Sequence, residues 1–235
     1  MTIRNNEDRT SVPIQDDAPI EQLAEKESGN TFSFAVPTEF VELPTRGRFY
    51  PEGHPLHNEE AIEIRYMTAK DEDILSSQSL LRKGLAIDRL LQNVIVDKNI
   101  KVDELYVGDK NALIIATRIT GYGSDYDVKV NCTSCGSSEE HSFDLRKVDI
   151  NFGGNLEDLG VQSTENNTFV FNLPKSDVSV ELRLLTGRDE RNLMASNEKR
   201  KKHKLPEATL TDQIKNMIVS VNGRSDSKII NAFVD

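Results

Sequence analysis

The chain has 235 residues, 37 % of them apolar and 6 % aromatic, with no tryptophan and a formal net charge of −10. That length holds one large domain or two small ones around a real core, while the low apolar share leaves part of the chain outside any core. The charge repels nucleic acid and anionic membrane, which excludes a bulk binder of phosphates, and two cysteines exclude a disulfide scaffold. The first residues, MTIRNNEDRTSV, lack the apolar centre of a signal peptide, and no stretch approaches 18 consecutive apolar residues, so no membrane span is expected. The expectation is a soluble chain made in a reducing cytoplasm.

Residues 1–30 carry seven acids against three bases and read as a flexible acidic tail that orders, if at all, on a partner. TFSFAV follows, with Phe32, Phe34 and Val36 at strand period, then EFVELP and the Gly- and Pro-rich loop TRGRFYPEGHPLHNE. AIEIRYMT predicts a strand with Ile62, Ile64 and Tyr66 on one face. Thr68 heads a capping-box-like start to a helix over about 69–76, extending towards Lys83 before Gly84. Ile87, Leu90, Leu91, Val94 and Ile95 form one helical stripe. A third helix starts near Asp109 and stops at Gly121 and Gly123. YDVKVNC and EEHSFDL then flank a CxxC as two antiparallel strands.

The second half resembles the first. TFVFNLP ends in Leu-Pro as EFVELP does. VELRLLTGRDERNL (180–193) aligns without gaps on IEIRYMTAKDEDIL (62–75), identical at six of fourteen positions. TDQIKNMIV (211–219) then lines up with IDRLLQNVI (87–95), the spacing being six residues longer, with Leu210, Ile214, Met217, Ile218 and Val221 as its apolar stripe. Any two strand–cap–helix units share some of this, but identity, order and the following helix favour a duplicated unit. On this reading the second unit ends at SDSKIINAFVD before a counterpart of the 109–121 helix or of the CxxC hairpin, as if truncated at its C-terminus.

VNCTSCGSSEEHSF (130–143) places Cys132 and Cys135 at a hairpin tip, both sulfurs to one side, as in one half of a zinc ribbon. His141 is the candidate third ligand if the strand bends; the alternative is a pair of free thiols. A redox pair is disfavoured, because a glycine and a strand follow instead of a helix. His54 and His57 flank Pro55 and read as a solvated loop, GYGSDYD as a helix stop, and KRKKHK (199–204) as a solvated basic helix end. No HExxH, GxSxG or Walker loop is present, so no enzyme activity and no small-molecule substrate are expected.

At VELPTRGRFYPEGHPL, IEIRYMTAKDEDIL and GLAIDRLLQNVIVD the chain resembles the baseplate hub, or hub assembly, proteins of T-even-type contractile-tailed bacteriophages. The likeness continues through GDKNALIIATRITGYG, CTSCG and LLTGRDERNL to VSVNG, roughly residues 32 to 235. It implies a structural or assembly role in the virion's tail baseplate, assembled in the host cytoplasm among other tail proteins, with no chemistry. Longer relatives of this kind carry a second CxxCG, absent here.

The expected architecture is therefore α+β: a tail (1–30), a first β/α lobe (31–125), a zinc-ribbon-like hairpin (126–150) with a half-site at Cys132 and Cys135, and a second β/α lobe (151–235). Arg46, Gly47 and Tyr50 are the expected partner-binding residues: Gly47 for a tight turn, Tyr50 as an aromatic anchor and Arg46 for a carboxylate. The competing expectation is that the same loop covers the protein's own core. The expected function is a hub subunit acting by protein–protein contact. Alternatives are a chaperone absent from the mature virion and a zinc-ribbon adaptor in transcription or repair.

Overall fold

A computed structural model describes residues 36–206 and 208–235. The acidic segment 1–30, and Phe32 and Phe34 of the first expected strand, lie outside the described residues. Strand β1 (Thr38–Glu42) pairs antiparallel with β2 (Ala61–Arg65), Val41 opposite Ile62. Alternation turns Val41, Ile62 and Ile64 inward, whereas Tyr66, just past the strand, is 36 % exposed.

Helix α1 (Ala69–Ser76) begins at Thr68 with the expected capping box, Asp71 supplying the reciprocal carboxylate. The anticipated extension is a separate short helix, α2 (Gln78–Arg82). Helix α3 (Ala86–Val94) buries Leu90, Leu91 and Val94, and α4 (Val107–Tyr122) stops at Gly123, whose φ of +85° suits glycine. A β3–β4 hairpin (Asp125–Asn131, Ser138–Asp144) follows. Beyond it β5 (Gln162–Ser163), β6 (Phe169–Asn172), β7 (Ser179–Leu182) and β8 (Ile218–Val221) form a four-stranded antiparallel sheet in that order. The remaining helices are α5 (Gly187–Lys202), α6 (Thr209–Met217) and α7 (Ser227–Val234). The fold is thus α+β, with one core around Leu43, Ile64, Leu91, Ile95, Leu105 and Leu113 and a smaller one around Val180, Ile218, Val221 and Ile230.

The two sheets share a register: Val41 faces Ile62 as Phe171 faces Val180, and Glu42 faces Ala61 as Asn172 faces Ser179. The Leu43 amide bonds the Glu60 carbonyl (2.8 Å) as the Leu173 amide bonds that of Val178 (2.9 Å). At the following helix start, Arg65 donates two bonds to the Asp71 carboxylate (2.7 and 2.9 Å), which also accepts the Thr68 amide and hydroxyl. Arg183, Asp189 and Thr186 repeat all four bonds at 2.8–2.9 Å.

Past α6 the structure corrects two expectations. The expected stripe does not stay helical: α6 ends at Met217, Ile218–Val221 is strand β8, and Leu210 faces solvent. The β-branched run Ile-Val-Ser-Val prefers an extended backbone, and β7 offers it an open edge. Leu182 then faces Ile218 as Ile64 bridges Ile95, so the correspondence between these segments shifts by one residue from the sequence alignment. In addition, α7 occupies the place after α6 where no helix was expected, and packs against α6 as α4 packs against α3.

Backbone joins the two cores. The Val107 amide bonds the Leu185 carbonyl and the Gly187 amide that of Leu105, both at 2.9 Å, around a Tyr106–Thr186 bridge. Gly187 stands where α1 has Ala69 because a Cβ there would lie 2.7 Å from the Val102 carbonyl oxygen. Beside this seam the buried Lys110 ammonium reaches Asp88 (2.7 Å) and Glu190 (2.8 Å), while Arg191 pairs with Asp88 and Asp103. Burial opposes the Lys110 charge, but its bonds to the two carboxylates outweigh it and raise the pKa above the ordinary lysine range. Lys110→Met is expected to cost about 1–3 kcal/mol in urea unfolding, moderated because Arg191 still pairs with Asp88.

Candidate interaction surface

The β1–β2 connection runs over residues 43–60, against 173–178 at the equivalent turn of the second sheet, and the extra residues build a folded loop. Tyr50 is 1 % exposed. Its hydroxyl donates to Asp109 (2.7 Å) and accepts the Tyr106 amide (3.2 Å), and its ring stacks on His54 at 4.5 Å. Burial, and next the Asp109 carboxylate, push the phenol far above its ordinary pKa, so it remains a donor. The fully buried Asp109 also accepts the Thr45 amide (3.0 Å) and hydroxyl (2.7 Å).

Gly47 is buried at φ +68°, and a Cβ there would fall 2.4 Å from the Glu59 nitrogen and the Leu56 oxygen. Arg46 lies over the Phe152 ring at 4.3 Å. Of the three residues expected to bind a partner, Tyr50 and Gly47 face inward, where the loop closes over its own core. His54 and His57 are part-buried and hydrogen-bonded within the loop. His54 accepts the Leu56 amide at Nδ1, His57 Nδ1 bonds the Tyr50 carbonyl (2.6 Å), and burial lowers the His54 pKa against the pull of Glu104.

What does face outward is an apolar groove of about 370 Å³ between α1, α3, α4 and the base of the hairpin. Met67, Leu75, Ile87, Ile114, Tyr122 and Tyr126 are among its walls, and the buried Thr117 hydroxyl in its lining has no hydrogen-bond partner. The sequence carried a signal for it: Leu113, Ile114 and Ile115 run around α4, more apolar surface than one face can bury. Arg118 lies over Tyr122 at 5.0 Å and bonds the carbonyls of Gly123 and Asp125, fixing the groove's end.

From that end the β3–β4 hairpin extends. Alternation puts Tyr126, Val128 and Val130 on one face of β3, with Phe143 opposite Tyr126 and His141 opposite Val128. Tyr126, Val130 and Phe143 are 45, 49 and 47 % exposed, so this face is uncovered. Cys132 and Cys135 are free and exposed at the tip. The Ser137 hydroxyl and amide, together with the Cys132 thiol, draw the Cys135 pKa down to about 7. Strand β4 does not bend, leaving His141 on its ladder against Phe143. Among the described residues no group of three or more His, Cys, Asp or Glu side chains could hold a metal. KRKKHK closes α5, where its cations suit the helix's negative end and Arg200 pairs with Asp212 (3.3 Å). No described helix is long and apolar enough to cross a membrane.

An α+β body that shows an apolar groove and an uncovered hairpin face has surfaces of the kind that contact other proteins. The chain belongs to the family described as T4 bacteriophage base plate protein, whose model matches residues 39–174. That span holds the inserted loop, the groove and the hairpin. No curated protein and no solved structure gives a significant match.

Proposed function

We propose that this chain is a structural subunit of the phage tail baseplate hub, acting by contact with neighbouring tail proteins and not by catalysis. The observation that carries this reading is the family match over residues 39–174, and the groove and hairpin supply surfaces of the kind it needs. Assembly takes place in the host cytoplasm and the subunit stays in the virion. The shared sheet register and the repeated arginine–aspartate forks support descent of the two lobes from one duplicated unit, the first having gained the loop over residues 43–60. Quantitative mass spectrometry of purified phage particles is expected to find the chain in fixed stoichiometry with other baseplate proteins. Its absence from particles that need it for assembly would instead make it a chaperone that leaves.

A further inference from the structure

We propose that the free edge of β4 receives an extended segment of another protein, one that alternates apolar residues with lysine or arginine and adds to the β3–β4 hairpin as a third strand. This gives the protein–protein contact proposed above a chemistry, and rests on that reading only for the source of the segment.

The ladder fixes which backbone groups point out. Bonds from the Leu145 amide to the Ser124 carbonyl (2.9 Å) and from the Cys132 amide to the Ser137 carbonyl (2.8 Å) mark the hydrogen-bonded pairs at its two ends. Alternation between them makes Tyr126–Phe143, Val128–His141 and Val130–Glu139 bonded pairs too. The amides and carbonyls of Ser138, Glu140, Ser142 and Asp144 therefore point away from β3. Among the described residues none bonds them, and Ser138–Phe143 are all exposed. The outer edge of β3, by contrast, is closed at its base, where Arg118 bonds the Asp125 carbonyl (3.3 Å). An unpaired, accessible edge is a template for a further strand.

The two faces of the ribbon select what that strand carries. One is the open apolar face of Tyr126, Val130 and Phe143. The other is acidic: Asp125 stands directly opposite Asp144, Asp127 lies diagonal to Asp144, and Glu140 faces Lys129, the one base that the two strands supply. Like charges opposed across a ladder repel, and the cation paired with Asp144 is Lys147, 3.6 Å away on an 82 % exposed side chain. Residues of an added strand that face Glu140 and Asp144 fall on the acidic side, and those between them fall beside Phe143 and His141. Alternating cations and apolar side chains thus complement both faces at once. A second copy of this chain, of charge −10, is repelled from the same edge.

The test titrates the full chain with a capped peptide of alternating valine and lysine, as long as β4, by calorimetry and amide NMR. Saturable one-to-one binding is expected, with the largest shifts on Ser138–Asp144. Methylating the lysine backbone nitrogens keeps the peptide's charge but blocks pairing, and is expected to weaken binding by about tenfold or more. Replacing its lysines with glutamates is expected to abolish binding. Ser142→Pro removes one outward amide without breaking a ladder bond, and is expected to weaken binding similarly with unchanged circular dichroism. Glu140→Lys alters only an exposed side chain and is expected to weaken binding of the lysine peptide, so the proposal stays testable if the proline variant misfolds. No binding, equal binding of the methylated peptide, shifts centred elsewhere, or a chain that pairs with itself in sedimentation would each overturn the proposal. None of these results bears on whether the chain is found in phage particles.

Discussion

Asp109→Ala is expected to be among the most damaging single substitutions in this protein, costing roughly 3–5 kcal/mol by the usual penalty for stripping a buried carboxylate from its donors. The carboxylate accepts the Tyr50 hydroxyl and the Thr45 amide and hydroxyl, so its loss orphans three donors in a closed interior. Part of the loop over residues 43–60 then loses its tie to α4. Urea or thermal unfolding monitored by circular dichroism measures the effect, a fall in melting temperature of roughly 6–20 °C for a chain of this size. Tyr50→Phe keeps the ring on His54 and removes one hydroxyl, and is expected to cost only about 1–2 kcal/mol. Equal losses for the two variants would mean that the ring, not the carboxylate, holds the loop.

Asp71→Ala is the second large effect, and its counterpart Asp189→Ala the internal control. Asp71 is fully buried and accepts bonds from Arg65, Thr68 and Asn93, the last at 2.6 Å. Asp189 keeps the arginine and threonine bonds, but its side chain is 15 % exposed and the facing Arg183 is 36 % exposed. Removing Asp71 leaves a half-buried guanidinium unpaired and is expected to cost about 3–4 kcal/mol, against about 1–2 kcal/mol for Asp189, where water takes up the arginine.

The same pair sets the response to acid. Burial alone would raise the Asp71 pKa, but the bonds from Arg65, Thr68 and Asn93 more than reverse it and hold it well below the usual carboxylate range. The Arg183 fork, against the opposing effect of burial, draws Asp189 down to about 2. An aspartate depressed in the folded state stabilises it above the unfolded pKa, near 4, and that contribution disappears as pH falls through the folded value. Stability is therefore expected to decline from about pH 4 towards pH 2, and D71A/D189A to show a shallower decline over that window. An unchanged slope in the double variant would place the acid sensitivity elsewhere.

The caps at these two helix starts were legible because everything that makes them is local. Thr-x-x-Asp after a strand ending in Arg spells the cap, and its recurrence at 183–189 marks the related segment. The Asp109 anchor was not legible, since Thr45 and Tyr50 sit 64 and 59 residues away and an acid in a helix's first turn already has a sufficient local reason. Tyr50 and Gly47 attracted a binding role for the same cause: a loop dense in glycine and aromatics looks alike whether it turns outward or closes on itself. Ile218–Val221 was read as helix because its apolar spacing fits either period, and the neighbouring edge of β7 decides the matter. The hairpin, by contrast, follows from alternation around CxxC, which needs no distant information.

Seven residues per strand give the β3–β4 hairpin a reach of roughly 23 Å from a base tied down by Arg118 and by the Leu145 amide on the Ser124 carbonyl (2.9 Å). A lever of that length converts a small change of angle into travel: tilting it ten degrees carries the tip roughly 4 Å. The pivot and the hydrophobic groove share side chains, since Tyr126 and Leu145 at the two ends of the hairpin's base both stand in the groove's wall.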